Sequence, residues 1–158
     1  MKTRKNSRAI VLNNKNELFL FKFEFAMLSE QKTLWVTPGG GLINGETFEM
    51  ALERELNEEL GITINTKYLP LVFQRYKPFT TKNGDKFMSE EKYFLVKVKD
   101  SNFSFMNFTE TEKKLTKDYK WWTLDEIKKS NEEFFADNLY DLIANIIAGI
   151  LPENPIEI

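Results

Sequence analysis

Six glutamates and a single arginine fall within residues 46–60: Glu46, Glu49, Glu53, Arg54, Glu55, Glu58 and Glu59. Six negative charges against one positive leave a local charge of −5, in a chain whose net charge is −2. Glu55 precedes Glu58 by three residues and Glu59 by four, so on a helix the three carboxylates share one face. Like charges at that spacing cost about 0.2–0.5 kcal/mol per pair in an isolated helix. One reading is a solvated acidic face, the usual fate of such a run. The other is a set of oxygen ligands whose compensating charge comes from solution. Two features favour the second: no lysine interrupts the stretch, and Gly39, Gly40 and Gly41 lead into it. A glycine backbone lets a ligand approach closely, so Gly40 and Gly41 are candidates for the substrate-binding loop.

The composition narrows the chemistry further. The chain has no cysteine and no histidine. That excludes disulfide scaffolds, thiol nucleophiles, Ser-His-Asp triads and the usual zinc and copper sites. A metal bound here takes oxygen ligands, which favours Mg²⁺, Mn²⁺ or Ca²⁺. An acid or base is most simply a carboxylate. A length of 158 residues fits one domain, 1–158, with a proper core. A hydrophobic content of 42% with fourteen phenylalanines agrees with a packed protein. A pI near 5.4 gives no global field for nucleic acid. Lys2, Arg4, Lys5 and Arg8 are followed by no apolar run long enough for a signal peptide, and no stretch of about twenty apolar residues could span a membrane. The expected location is the cytoplasm.

Several elements must position the acidic face. Thr47 is a plausible N-cap, Ala51, Leu52, Leu56 and Leu60 recur at helical spacing, and Gly61 suits a left-handed cap. Residues 7–13 read as a first strand, 13–16 as a turn, and 17–23 as its hairpin partner. Alternation is blurred at Leu18, Phe19, Leu20 and Phe21, which fits a strand covered on both faces. Residues 24–33 read as a surface connection to a strand at Trp35. Residues 62–79 are β-rich, 80–85 a turn, and 86–98 a strand antiparallel to the preceding one. Residues 100–116 are polar and read as loop. A short strand at 119–122 sends Trp121 and Trp122 to opposite faces. Thr123 and Glu126 form a capping box, and Asp137 is the expected cap of a last helix with an apolar stripe from Leu139 to Ile150, ended by Pro152 and Pro155. The order of elements predicts an α+β protein: a mixed central sheet with helices packed on it, on both faces.

Gly40, Glu46, Arg54-Glu55-Leu56, Glu58-Glu59 and Gly61-Ile62 together match the signature of the Nudix hydrolases, which this chain resembles at every position. Seven fixed Gly, Glu and Arg positions would coincide by chance on the order of 10⁻⁸ per starting point. Residues 8–12, 91–96 and 121–126 also look like patterns that flank the signature in bacterial members. The resemblance implies an α/β/α sandwich. It implies that Glu55, Glu58 and Glu59 ligate Mg²⁺ or Mn²⁺, with the Gly39 carbonyl beside them, and that Arg54 holds Glu46 or a neighbouring carboxylate. Glu55 is the first choice for the base that activates water. Some members place the base in a later loop, where Glu112 is preferred over Glu110, and Glu91 is a further candidate. Ile43 departs from the common pattern, in which an acidic residue follows the glycines.

The activity implied is hydrolysis of the phosphoanhydride in a nucleoside diphosphate linked to another group. The competing readings are a nucleotide-sensing module on the same fold and, less well supported, a calcium-binding acidic protein lacking a twelve-residue calcium loop. Arg8 and Arg75 are candidates for phosphate contact, weighed against ordinary salt bridges. Tyr76, Phe79 and Phe25 are candidates for stacking a base, weighed against core packing. The expected partner is a small nucleotide. No membrane is expected, and no nucleic acid other than a capped or triphosphorylated RNA end. The residues leave a homodimer open.

Overall fold

Residues 9–12 of β1 (Lys2–Leu12) and 18–21 of β2 (Leu18–Ala26) are apolar without a break, and every one of these side chains is buried. Unbroken burial along a strand requires cover on both faces. The turn between them is set by Asn13, whose Oδ1 accepts the Lys15 and Glu17 N–H groups at 3.0 Å, and by Asn16 at φ 59°. The computed structural model describes residues 1–26, 31–81, 83–99, 103, 110 and 116–158, with backbone alone at 25, 26, 31, 116 and 117.

The two strands pair only where they leave the turn, at Leu12 and Leu18, and then part. β1 runs parallel to β6 (Lys86–Lys97) along its whole length, and antiparallel to β4 (Gly39–Gly41) at Asn6, Ser7 and Arg8. β6 is antiparallel to β5 (Leu71–Thr80), which the short β8 (Ile156–Glu157) extends. β2 instead lies between β3 (Gln31–Val36) and β7 (Thr116–Trp122), both antiparallel to it. Among the described residues the result is one mixed, eight-stranded sheet that divides into two wings at the β1–β2 turn. Trp122 packs edge-on against Trp35, while Trp121 packs against Phe19 on the opposite face.

Local chemistry sets the helices. In α1 (Phe48–Leu60), the Thr47 side chain accepts from the Met50 N–H, and Gly61 at φ 66° donates to the Asn57 carbonyl. In α2 (Leu124–Lys129), Thr123 and Glu126 complete a capping box. The helix α3 (Leu139–Ile147) buries Leu139, Leu142, Ile143 and Ile146. α1 packs on β1 and β4, and α2 on α3. The buried Ser7 hydroxyl donates to the Phe48 carbonyl at 2.8 Å, so Ser7 faces α1. Alternation along β1 then turns Arg4, Asn6 and Arg8 to the other face. Among the described residues, no helix is long and apolar enough to cross a membrane.

Several boundaries differ from expectation. β1 begins at Lys2, and β2 and β3 continue through residues 24–26 and 31–33, because backbone ladders persist where side chains turn polar. Residues 62–70 form no strand. The Asn65 side chain accepts from the Lys67 N–H, Leu69 N–H donates to the Thr66 carbonyl, and Tyr68 sits at φ 69°, so a turn replaces the ladder that Ile62 and Ile64 suggested. Asn138, rather than Asp137, occupies the cap of α3, without a side-chain bond. That helix also stops before Ile150 and both prolines: Gly149 at φ 82° and the Ile150 N–H close back on the Ile146 and Asn145 carbonyls, a Schellman turn.

Candidate active site

Gly39 lies against β1, and Gly40 against a side chain of α1, more closely than any other residue would allow. A Cβ on Gly39, whose φ is +135°, would sit 2.0 Å from the Ser7 carbonyl oxygen. A Cβ on Gly40 would sit 2.5 Å from Oε1 of Glu55. Ala51, Leu52, Leu56 and Leu60 turn one side of α1 into the core, and helical spacing carries Glu55 and Glu59 in beside them, 9% and 2% exposed. Glu59 Oε1 accepts the Gly39 N–H at 2.7 Å. Two carboxylates are thus buried against a glycine bend.

Arg54 ties this cluster together. Its Nε and Nη2 form a two-pronged pair with Glu46, both at 2.9 Å, and Nη2 also reaches the Gly41 carbonyl at 2.9 Å. Its Nη1 donates to Glu55 at 3.0 Å and to Glu58 at 3.4 Å. Hydrogen bonds from Arg54, then from the Ile43 N–H, hold the Glu46 carboxyl down to about 2. Reciprocally, the bond to Glu46 raises the Arg54 pKa, so the guanidinium is a fixed charge.

Among the described residues, no three acidic side chains converge on one point as a ready metal cluster. Glu46, Glu55 and Glu58 are spread around the Arg54 guanidinium, and Glu59 turns to the Gly39 N–H. The donor chemistry nonetheless fits a hard cation: the candidate side-chain donors are all carboxylate oxygens, and Gly40 brings bare backbone against the Glu55 carboxylate.

On the opposite face of the sheet lies a cavity of about 420 Å³. Its floor is built by alternate residues of β1, β6 and β5, and its side by β3. Glu91 lies between two guanidiniums: Oε1 is 3.5 Å from Arg8 Nε, and Oε2 is 3.5 Å from Arg75 Nη1. The Tyr93 hydroxyl donates to Glu91 Oε2 at 2.9 Å, and burial first, then the Glu91 charge, raises its pKa and keeps that proton in place. Arg75 Nη2 also donates to the Phe135 carbonyl. Arg8 joins the two faces. Its Nη1 donates to the Gly39 carbonyl at 3.1 Å, one peptide from the N–H that holds Glu59. Burial opposes charge on Arg8, but Glu91, Tyr93, Glu59 and Glu55 outweigh it and the pKa is raised.

The structure therefore groups Glu46, Arg54, Glu55, Glu58, Glu59, Gly39, Gly40 and Gly41 at one site, with Arg8 and Arg75 across the sheet. Phe79 lines the cavity, whereas Tyr76 is exposed outside it. Glu112 and the Phe25 side chain lie outside the described residues, and Glu110 is exposed. Sequence reasoning passed over Arg4, Lys77, Ser89 and Tyr93, all of which line the cavity. Period-two alternation was the available signal: Arg4, Asn6 and Arg8 share a face of one strand, as do Arg75 and Lys77 of another.

The model of the NUDIX domain matches residues 2–143. Solved structures share the fold. A MutT NUDIX hydrolase from Burkholderia pseudomallei superposes with a TM-score of 0.62 at 20% identity, over 89% of this chain and 96% of that one. The NUDIX domain of Shewanella oneidensis NrtR, complexed with ADP ribose, gives 0.63 at 15% identity, over 93% and 90%. A NUDIX hydrolase from Nitrosomonas europaea gives 0.56 at 20% identity, over 95% and 92%. No curated protein matches the chain.

Proposed function

The chain belongs to the Nudix family, and from that premise we propose that it is a divalent-metal-dependent hydrolase of a nucleoside diphosphate linked to another group. The observation that carries this reading is the burial of Glu55 and Glu59 at a glycine bend, where the cluster's own cation, Arg54, is shared among Glu46, Glu55 and Glu58. Charge so concentrated favours added cations over a second protein partner. Glu55, Glu58, Glu59 and the Gly39 carbonyl would hold Mg²⁺ or Mn²⁺, which when bound neutralises phosphate charge and supplies an acidified water.

The chain's own residues do the rest. Arg54 and Glu46 fix the start of α1 against the glycine run, so the carboxylates are held before substrate arrives. The Glu55 carboxylate takes the proton of the attacking water, with Glu112 as the second candidate for that role. Gly40 and Gly41 present backbone without side chains to the diphosphate. Arg8 and Arg75, held apart by Glu91, offer their remaining N–H groups to phosphate oxygens. The cavity behind them takes the remainder of the nucleotide.

The test is product release over a panel of nucleoside triphosphates, nucleotide sugars, dinucleoside polyphosphates and capped RNA, with Mg²⁺ or Mn²⁺. Glu58→Gln and Glu59→Gln should each lower turnover by at least about 10²-fold while the circular dichroism spectrum is kept. Wild-type turnover in both variants removes the carboxylates from the mechanism. Tight binding of one panel member with no release identifies a sensor instead.

A further inference from the structure

Among the described residues, five cations line the cavity: Arg4, Arg8, Lys32, Arg75 and Lys77. Lys32 pairs with Glu133, and Arg8 and Arg75 share Glu91. Arg4 and Lys77 have no carboxylate partner among the described residues. The sheet sets these two in a single row. Arg4 of β1 is opposite Ser89 of β6, and Ser89 is opposite Lys77 of β5. With strands about 5 Å apart, the two cations flank a hydroxyl from backbones about 10 Å apart. The Arg4 guanidinium lies 4.1 Å over the Phe87 ring, a contact that orients it and leaves its N–H groups for a ligand. Ser89 Oγ accepts from Asn6 Nδ2 at 3.4 Å, so its own proton is directed elsewhere.

We propose that the row Arg4–Ser89–Lys77 is a phosphate seat, and that the substrate carries a phosphate on its nucleoside sugar besides the diphosphate that is cleaved. The inference rests on the reading given under Proposed function. Spacing sets this seat apart from the diphosphate that is cleaved. Arg4 is four residues from Arg8 along β1, about 13 Å in an extended strand, and Arg8 touches the Gly39 carbonyl beside the carboxylates. That span exceeds the step between neighbouring phosphates of one chain, and the Arg4 head leans farther out still, over Phe87. A sugar between the two phosphates widens their separation beyond that step. Two cations and a hydroxyl donor around one oxygen-rich group are the means by which a phosphate dianion is recognised.

Matched pairs test this directly: coenzyme A against its 3′-dephospho form, and NADP⁺ against NAD⁺, which differ by one sugar phosphate. The phosphorylated member should have a kcat/KM at least about tenfold higher, mainly through KM. The double variant Arg4→Gln/Lys77→Gln should bring that ratio to within about threefold. Calorimetry without metal gives a readout independent of turnover: adenosine 3′,5′-bisphosphate should bind about tenfold more tightly than AMP, and the double variant should lose the difference. Equal values within each pair, or a ratio that survives the double variant, overturn the seat. So does a preference for ATP over ADP without one in the matched pairs. If the bisphosphate preference is found and no panel compound is cleaved, the seat stands and the hydrolase reading fails.

Discussion

Gly40→Ala isolates the placement of one carboxylate from the integrity of the fold. The new methyl would lie 2.5, 2.7 and 2.9 Å from Oε1, Cδ and Oε2 of Glu55, and ordinary contact begins near 3.4 Å. The carboxylate must therefore retreat by about 1 Å, which strains or breaks its 3.0 Å bond from Arg54 Nη1. The obstructed atoms are the end of a flexible side chain, so the stability cost should be about 1 kcal/mol, the scale of one partly exposed hydrogen bond. A misplacement of about 1 Å at a reacting centre costs about 10²-fold in rate. Gly39→Ala is the contrast: its methyl meets the Ser7 backbone carbonyl at 2.0 Å, at a φ of +135°, and should cost about 4 kcal/mol or more. Urea denaturation and steady-state hydrolysis of the best panel substrate, run on both variants, provide the measurement. Wild-type turnover in a folded Gly40→Ala protein would refute the idea that the Glu55 position matters. Unfolding of Gly40→Ala would refute the packing argument itself.

Two further outcomes follow from the caps and charges. Glu46, lowered from 4.5 to about 2, binds fewer protons folded than unfolded between those values, so its contribution is full above pH 4.5 and lost as pH falls towards 2. Its partly solvated position near the surface limits the effect to about 1 kcal/mol, and Glu46→Gln should flatten that part of a stability-against-pH curve measured by urea titration; an unchanged slope counts against the pair. Thr123→Ala removes the hydroxyl that accepts the Glu126 N–H at 3.1 Å and should cost about 1 kcal/mol in thermal or urea unfolding, with no change in turnover.

What could be read from the sequence follows the range of the interactions involved. Thr47, Gly61, Thr123 and Glu126 act within one helical turn, so their caps are visible in a few residues. The acidic face of α1 is legible for the same reason, since three- and four-residue spacing needs no partner. The cavity depends instead on β1 lying parallel to β6, which sets Arg4 beside Ser89, and on β5 returning to bring in Lys77. No local pattern states that pairing. Ile62 and Ile64 show the opposite failure: their alternation suggests a strand, but Asn65 and Tyr68 bend the chain before any ladder forms.

One strand, β1, faces two ways. Ser7 locks the first turn of α1 from one side, while Arg4, Asn6 and Arg8 floor the cavity from the other. A slip of one residue against β6 would transpose these sets, turning the guanidiniums towards the helix and the hydroxyl towards the cavity. Insertions or deletions here are thus all-or-nothing for both faces of the strand, whereas point changes at Arg4 or Asn6 can adjust the cavity and leave the helix face alone; Arg8, which reaches the Gly39 carbonyl, is the exception.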